Sequence, residues 1–271
     1  MSNVPLLAQA DAWRVAARTA WRNVRGRKFE PEVRFIPDIV ARGDVCLHVG
    51  ASDGRHAYAM VRHAGAREVW AFEPSAQSYA VLTRALALNG LADAVHPVHA
   101  AIGASDGKIT LRMPRKSNGR MGRSFAFTGS AGDTLRPDLA GEVTDWFEEE
   151  TPMLSLDAFC AGRGIAKVDF FRIDCEGAEM EVLKGAAAII ERDKPSMLVE
   201  IHPQQLRAHF DSSGDAVVIW LKQRGYALFV AEGDGVRRVD GIVDDRWIDY
   251  FVVHPSRAAS LPTDRFRGSF A

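Results

Sequence analysis

Gly50-Ala51-Ser52-Asp53-Gly54 follows a short apolar run, and Glu73-Pro74 closes a second such run, with Glu73 nineteen residues after Gly54. A glycine turn between a strand and a helix offers free backbone N–H groups to a ligand. Glycine takes positive φ there at little steric cost. An acid at the end of the next strand is how open α/β sheets hold an adenosine ribose. The dinucleotide fingerprint requires G-x-G-x-x-G. Glycines at Gly50 and Gly54 alone suit a ligand without a pyrophosphate, such as S-adenosylmethionine, and disfavour an NAD-dependent oxidoreductase. A second group of polar residues comes later: Asp174 and Glu176 after Val168 to Ile173, then Glu200 and His202 at the end of Met197 to Ile201. Alternation along a strand puts Glu200 and His202 on one face. Such a group can orient an acceptor hydroxyl and take its proton. His202 is the natural base because an unperturbed imidazole titrates near neutral pH, with Asp174 or Glu176 as alternatives. Asp174, Glu200 and His202 also offer mixed oxygen and nitrogen donors. Magnesium prefers oxygen, and no metal is expected.

The elements that must hold these residues alternate strand and helix from Asp44 onward, which implies a mainly parallel sheet. Arg55 to Ala64 reads as a helix. Ser75 is an N-cap for a helix over Ala76 to Leu88 that Asn89-Gly90 closes. Ala94 to Ile102 reads as the third strand and Lys108 to Met113 as a short edge strand. Ser155 caps a helix to Gly162, Met180 to Arg192 forms another, and Lys194-Pro195 stops it. Asp215 to Arg224 is helical, and Ala227 to Ala231 and Trp247 to His254 are the last two strands.

Two stretches fall outside this rhythm. Residues 1–30 form an amphipathic helical segment, with Leu6, Leu7, Ala10, Trp13, Ala17, Trp21 and Val24 at helical spacing and Arg14, Arg18, Arg22 and Arg25 beside them. That face either docks on the domain or a second subunit, as a homodimer, or lies on an anionic membrane surface. At about 114–152 an insertion interrupts the 31–271 domain. Its first half carries Arg115, Lys116, Arg120 and Arg123, and its second half Asp138, Glu142, Asp145 and Glu148 to Glu150. A connection of this length is either a functional lid or a solvated segment. The net charge of −1 argues against a nucleic-acid partner. Cys46, Cys160 and Cys175 make no CxxC pair and read as reduced thiols of a cytoplasmic protein. No run of eighteen apolar residues or signal-peptide pattern occurs.

Together, Leu47-His48-Val49-Gly50-Ala51-Ser52-Asp53-Gly54, Ala71-Phe72-Glu73-Pro74, Leu156-Asp157, Ile173-Asp174-Cys175-Glu176-Gly177-Ala178-Glu179, Val182-Leu183-Lys184-Gly185-Ala186 and Glu200-Ile201-His202 resemble the ordered motifs of the FkbM family of methyltransferases. The resemblance spans roughly residues 33–255. It implies a Rossmann-like class I methyltransferase fold, α/β, with a seven-stranded mainly parallel sheet and helices on both faces. It further implies an S-adenosylmethionine-dependent O-methyltransferase acting on a hydroxyl of a saccharide, glycolipid or secondary metabolite. His48, Gly50, Ala51, Ser52, Asp53, Gly54, Glu73 and Pro74 are then expected at the cofactor, and Asp174, Glu176, Glu200 and His202 at the acceptor. Glu179 is expected to cap the following helix. One position departs from the pattern: the family has an acid where this chain has His48, which is either a cofactor contact or a histidine satisfied by the backbone. That departure motivates a rival reading, a non-catalytic binding or scaffold protein with a decayed cofactor site.

Overall fold

The computed structural model describes residues 6–26, 30–116, 143–262 and 264–267. Its helices are α1 (Leu6–Arg25), α2 (Ile36–Ile39), α3 (Arg55–Ala59), α4 (Ala76–Leu88), α5 (Leu156–Arg163), α6 (Glu179–Gly185), α7 (Ala187–Asp193), α8 (Pro203–His209) and α9 (Gly214–Lys222). Its strands are β1 (Val45–Val49), β2 (Glu68–Phe72), β3 (Val95–Val98), β4 (Ala101–Ile102), β5 (Gly107–Lys116), β6 (Val143–Leu154), β7 (Phe170–Ile173), β8 (Ser196–Ile201), β9 (Ala227–Glu232), β10 (Gly235–Val239), β11 (Ile248–Val253) and β12 (Phe266–Arg267).

The main sheet runs β12-β10-β9-β11-β8-β7-β1-β2-β3. From β8 to β3 all neighbours are parallel, whereas β11 lies antiparallel between β8 and β9. Seven strands, β3 to β9 in that order, form the expected Rossmann-like sheet, and β10 and β12 extend one edge. Burial on both faces makes the central strands near-continuous apolar runs. Leu47 and Val49 pack in one core with Phe171 and Ile173, while Cys46 packs in the other with Phe170 and Leu198.

The third expected strand is split. Val95–Val98 stays in the main sheet, and Ala101–Ile102 leaves it to pair with β6 in a second sheet of order β4-β6-β5. Residues 143–152 of the expected insertion are therefore strand, the returning arm of a long antiparallel pair with β5. Arg120, Arg123, Asp138 and Glu142 lie outside the described residues. The helix expected over Met180 to Arg192 breaks at Ala186 into α6 and α7. A Cβ on Gly185 would stand 2.0 Å from the Gly103 carbonyl oxygen, so the backbone of β4's exit packs directly on this break.

Helix α1 lies against α4. Ala12 and Ala16 pack with Val81 and Ala85, Asn23 donates to Asn89 Oδ1 at 2.9 Å, and Thr19 donates to Asp53 at 3.1 Å. The docked face is this alanine stripe. Trp13, Ala17, Trp21 and Val24 from the expected apolar stripe stay exposed.

Candidate cofactor and acceptor site

The C-terminal ends of β1, β2, β7 and β8 surround a cavity of about 370 Å³, within the range of ligand pockets. The second sheet supplies another wall through Ala101, Ile102, Ile109 and Leu111. Gly50, Ala51, Ser52, Asp53, Glu73, Pro74, Asp174, Glu176, Glu200 and His202 all line this one cavity.

Gly50 has φ +76°, and a Cβ on it would stand 1.7 Å from the Asp174 carbonyl oxygen. The turn after β1 thus lies backbone to backbone against the turn after β7. Ser52 (φ 48°) and Glu176 (φ 52°) hold left-handed backbone without being glycine, one in each of these turns. Such strain gathers where surrounding structure fixes a functional loop. Gly54, also left-handed, starts α3 with its Cα facing Leu82, outside the cavity lining.

Glu73 is buried and accepts two backbone bonds, from Ser52 N–H at 2.8 Å and Ser75 N–H at 3.0 Å. One carboxylate therefore joins the turn after β1 to the cap of α4. Burial pushes Glu73 up to about 7, against the two N–H donors. The second sheet braces the same corner. Glu149 accepts from Ala76 N–H at 3.1 Å, and Thr151 donates to the Pro74 carbonyl at 3.1 Å. Asp53 turns to Arg55 and Thr19. Burial alone would raise it, but the Arg55 guanidinium holds it below the usual carboxylate range.

His48 is placed elsewhere. Alternation turns it to the face opposite Val49, beneath α3, where it is 1% exposed and meets His56 edge-on at 5.7 Å between ring centroids. It is absent from the cavity lining, and its Nδ1 has no hydrogen-bond partner. Burial drives it well below the ordinary imidazole range, so it is neutral. Neither sequence alternative, cofactor contact or backbone-satisfied ring, describes that nitrogen.

On the opposite wall, Arg172 is the organising residue, and the sequence reading missed it. Its guanidinium is 1% exposed and bonds Asp249, Asp174 (3.1 Å) and Glu200 (3.0 Å). A cation inside the apolar run Phe170-Phe171-Arg172-Ile173, two residues before Asp174 and so on its face, was the available signal. Burial would raise Asp174, but Arg172 and then His202 hold it below its ordinary value. Burial and the neighbouring Asp174 push Glu200 up to about 9. At neutral pH Asp174 is the ionised member of this pair.

His202 has carboxylates on both nitrogens. Nδ1–H donates to Glu179 Oε1 at 2.8 Å, and Nε2 stands 3.5 Å from Glu176 and 3.6 Å from Glu200. Burial works against the charged ring, yet Glu179, Glu176 and Glu200 raise it to about 10. These carboxylates favour the cationic ring, which has no lone pair with which to take a proton. Glu179, fully buried, also accepts from Gly177 N–H at 2.9 Å, so it locks the turn after β7 to His202 as well as sitting in the first turn of α6.

Carboxyl groups of Asp53, Glu73, Asp174, Glu176 and Glu200 line the cavity beside Arg55 and His202. Strand-end acid, glycine turn and cavity size together fit S-adenosylmethionine.

A model of the methyltransferase FkbM domain matches residues 48–228. Methyltransferase sdnD of Sordaria araneosa is 27% identical over 157 residues, covering 51% of this chain and 59% of that protein. Methyltransferase FkbM from Methylobacillus flagellatus KT aligns with a TM-score of 0.49 at 13% identity, over 90% of this chain and 58% of that one. Sp1610 of Streptococcus pneumoniae, a putative tRNA (m1A22) methyltransferase in complex with S-adenosyl-L-methionine, gives a TM-score of 0.44 at 12% identity, over 83% of this chain and 72% of that one. The chain spans less than two thirds of the first two relatives' lengths.

Proposed function

The chain belongs to the FkbM methyltransferase family, whose cofactor is S-adenosylmethionine, and from that premise we propose that it methylates a hydroxyl of a saccharide, a glycolipid or a secondary metabolite. When bound, the cofactor supplies a methyl group activated by its sulfonium. The residues of the turn after β1 and Glu73 hold its nucleoside. Asp174 takes the proton from the acceptor hydroxyl as the new carbon–oxygen bond forms. His202 is a positioning residue: as a cation it anchors Glu176 and Glu200 around Asp174.

The observation that supports this reading is Asp174, held ionised beside Arg172 on the wall of a cavity that Glu73 also lines. Holding two reactants in line supplies up to roughly 7–11 kcal/mol in favourable systems, so a weak base suffices once the acceptor is fixed. Trp247, half exposed, and Phe210 line the same cavity. Their flat apolar faces suit the C–H face of a sugar ring and favour a saccharide over a purely polar acceptor. The exposed Trp13, Trp21 and Val24 on α1 offer a contact face for an anionic membrane or a second copy. No helix among the described residues is long and apolar enough to cross a membrane.

The test pairs calorimetry with radiolabelled transfer. S-adenosylmethionine binds with one equivalent, and label from its methyl group appears on the oxygen of a glycan or glycolipid acceptor. Asp174→Asn retains binding and loses turnover. Absence of cofactor binding up to millimolar concentration would move the chain to the scaffold reading, and label on nitrogen would overturn the hydroxyl acceptor.

A further inference from the structure

Glu30, Glu32 and His56 stand together at the edge of the cavity, and methyl transfer as read above uses none of them. Each of the three offers one ligand atom within 4.8 Å of the other two, Glu32 and His56 from buried positions and Glu30 from an exposed one. Nε2 is 3.4 Å from Glu32 Oε1 and 3.6 Å from Glu30 Oε2. Both separations exceed the usual N–H···O range of about 2.7–3.2 Å. Glu32 and His56 are 6% and 5% exposed, and Glu32 Oε1 and His56 Nε2 have no hydrogen-bond partner. Buried polar atoms left unpaired are rare and call for an absent partner.

The spacing identifies that partner's chemistry. Donors bound to one tetrahedral zinc at about 2.0–2.2 Å stand about 3.3–3.5 Å apart, close to the separations here. Charge agrees with spacing. Arg55 pairs with Glu30 through Oε1, leaving Oε2 turned toward His56. Arg172, a buried cation whose charge reaches all three residues, has its ion pairs with Asp174, Glu200 and Asp249. We propose that Glu30, Glu32 and His56 form a binding site for a divalent transition-metal ion, Zn²⁺ or Mn²⁺.

Two carboxylate oxygens with one imidazole suit such ions better than Mg²⁺. Asp174, Glu200 and His202 also fall within 4.8 Å, but there Arg172 already donates to both carboxylates and Glu179 holds the imidazole. In that second cluster the donor atoms are already taken up by hydrogen bonds, whereas in the first Glu32 Oε1 and His56 Nε2 are not. Glu30 and His56 line the cofactor cavity, so an ion can reach the first cluster from it. The site is independent of methyl transfer, and its test reads the metal itself.

The full chain, stripped with EDTA, is titrated with ZnCl₂ and MnCl₂ by calorimetry. One equivalent binds, and the melting temperature rises with metal concentration. Glu32→Gln and His56→Gln each weaken binding by more than about tenfold, the least that even outer partners of a metal cost. Asp174→Asn, in the competing cluster, retains the zinc stoichiometry. Cobalt(II) bound to the unaltered chain gives the intense visible absorption of a low-coordinate ion, and zinc abolishes it. Lack of saturable binding, undiminished affinity in both variants, or loss in Asp174→Asn alone overturns the site. If the variants fail to fold, a cobalt spectrum identical to that of the hydrated ion is sufficient to reject it.

Discussion

Glu73 accepts backbone N–H bonds from two different turns, so a single carboxylate fixes the cavity floor and keeps lone pairs for a ligand. Because burial raises it to about 7, its charge depends on pH across the neutral range. In the proposed ribose contact the ionised form accepts the hydroxyls, and the protonated form has lost acceptor capacity. Affinity for S-adenosylhomocysteine therefore rises as pH climbs through about 7 and then levels. The stability sign is opposite: a carboxyl whose folded value lies above its ordinary 4.5 costs stability as pH rises from there to about 7. Glu73→Gln flattens the affinity profile and weakens binding about 10–100-fold, from the loss of charge-assisted hydrogen bonds at about 1.5–3 kcal/mol each. Calorimetry across pH 6 to 8 measures both effects, and an unchanged pH profile in the variant would remove Glu73 from the nucleoside. His202 shows where residue-level reading stopped. Its position was legible from strand alternation, but its charge depends on Glu176 and Glu179, which reach it from the turn after β7. An ordinary imidazole value leaves out these carboxylates, which come from a different strand end.

The turn between β1 and α3 was legible because an apolar strand, two glycines and a helical pattern agree. What the sequence did not show is why Gly50 must be glycine: the surface it touches is the Asp174 backbone, which follows another strand. Gly50→Ala combines positive φ with a Cβ 1.7 Å from a carbonyl oxygen. Left-handed strain alone costs about 1–3 kcal/mol, and separating two buried strand ends adds to it. The expected loss exceeds about 3 kcal/mol, a fall in melting temperature of about 6–12 °C or more for a chain of this size. Thermal unfolding checks it, and a fall under about 2 °C would mean that the two turns separate freely. Elements at the edges were less legible. Helix α8 starts at Pro203, directly after His202, where proline at N1 is favourable but the pattern had read as a strand end. Strand β10 is five residues with only its ends and Val236 buried, too short and too polar for alternation to mark.

Across the whole molecule, the parallel sheet and its crevice followed from the strand–helix rhythm, while the docking of α1 did not. Large apolar residues mark a helix's buried face in most globular proteins, yet here small ones dock. Ala12, Ala16 and Ala20 let α1 approach α4 closely, and Trp13, Trp21 and Val24 remain outside with Arg14 and Arg25 exposed beside them. We propose an anionic lipid surface as the partner of that face, and the arginines support it. Within α1, Arg14, Arg18, Arg22 and Arg25 outnumber the single acid, Asp11. A second copy pressed against the same face would set these cations near their own counterparts. An anionic lipid surface sets them beside phosphates, each worth about 1 kcal/mol near the interface, and tryptophans settle at headgroup depth. The chain is therefore expected to sediment with vesicles containing phosphatidylserine, to release them as salt rises, and to ignore neutral vesicles. Trp13→Ser with Trp21→Ser reduces this binding while the melting temperature moves by less than about 2 °C, because both rings are half exposed and Trp13 meets α4 through a surface stack with Arg84. Ala16→Leu does the reverse: it overfills the α1–α4 contact at about 1–3 kcal/mol and draws Thr19 away from Asp53, so stability and cofactor affinity fall together. Equal sedimentation with neutral and anionic vesicles, or a dimer by light scattering that the paired tryptophan changes dissolve, would assign the exposed face to protein instead of lipid.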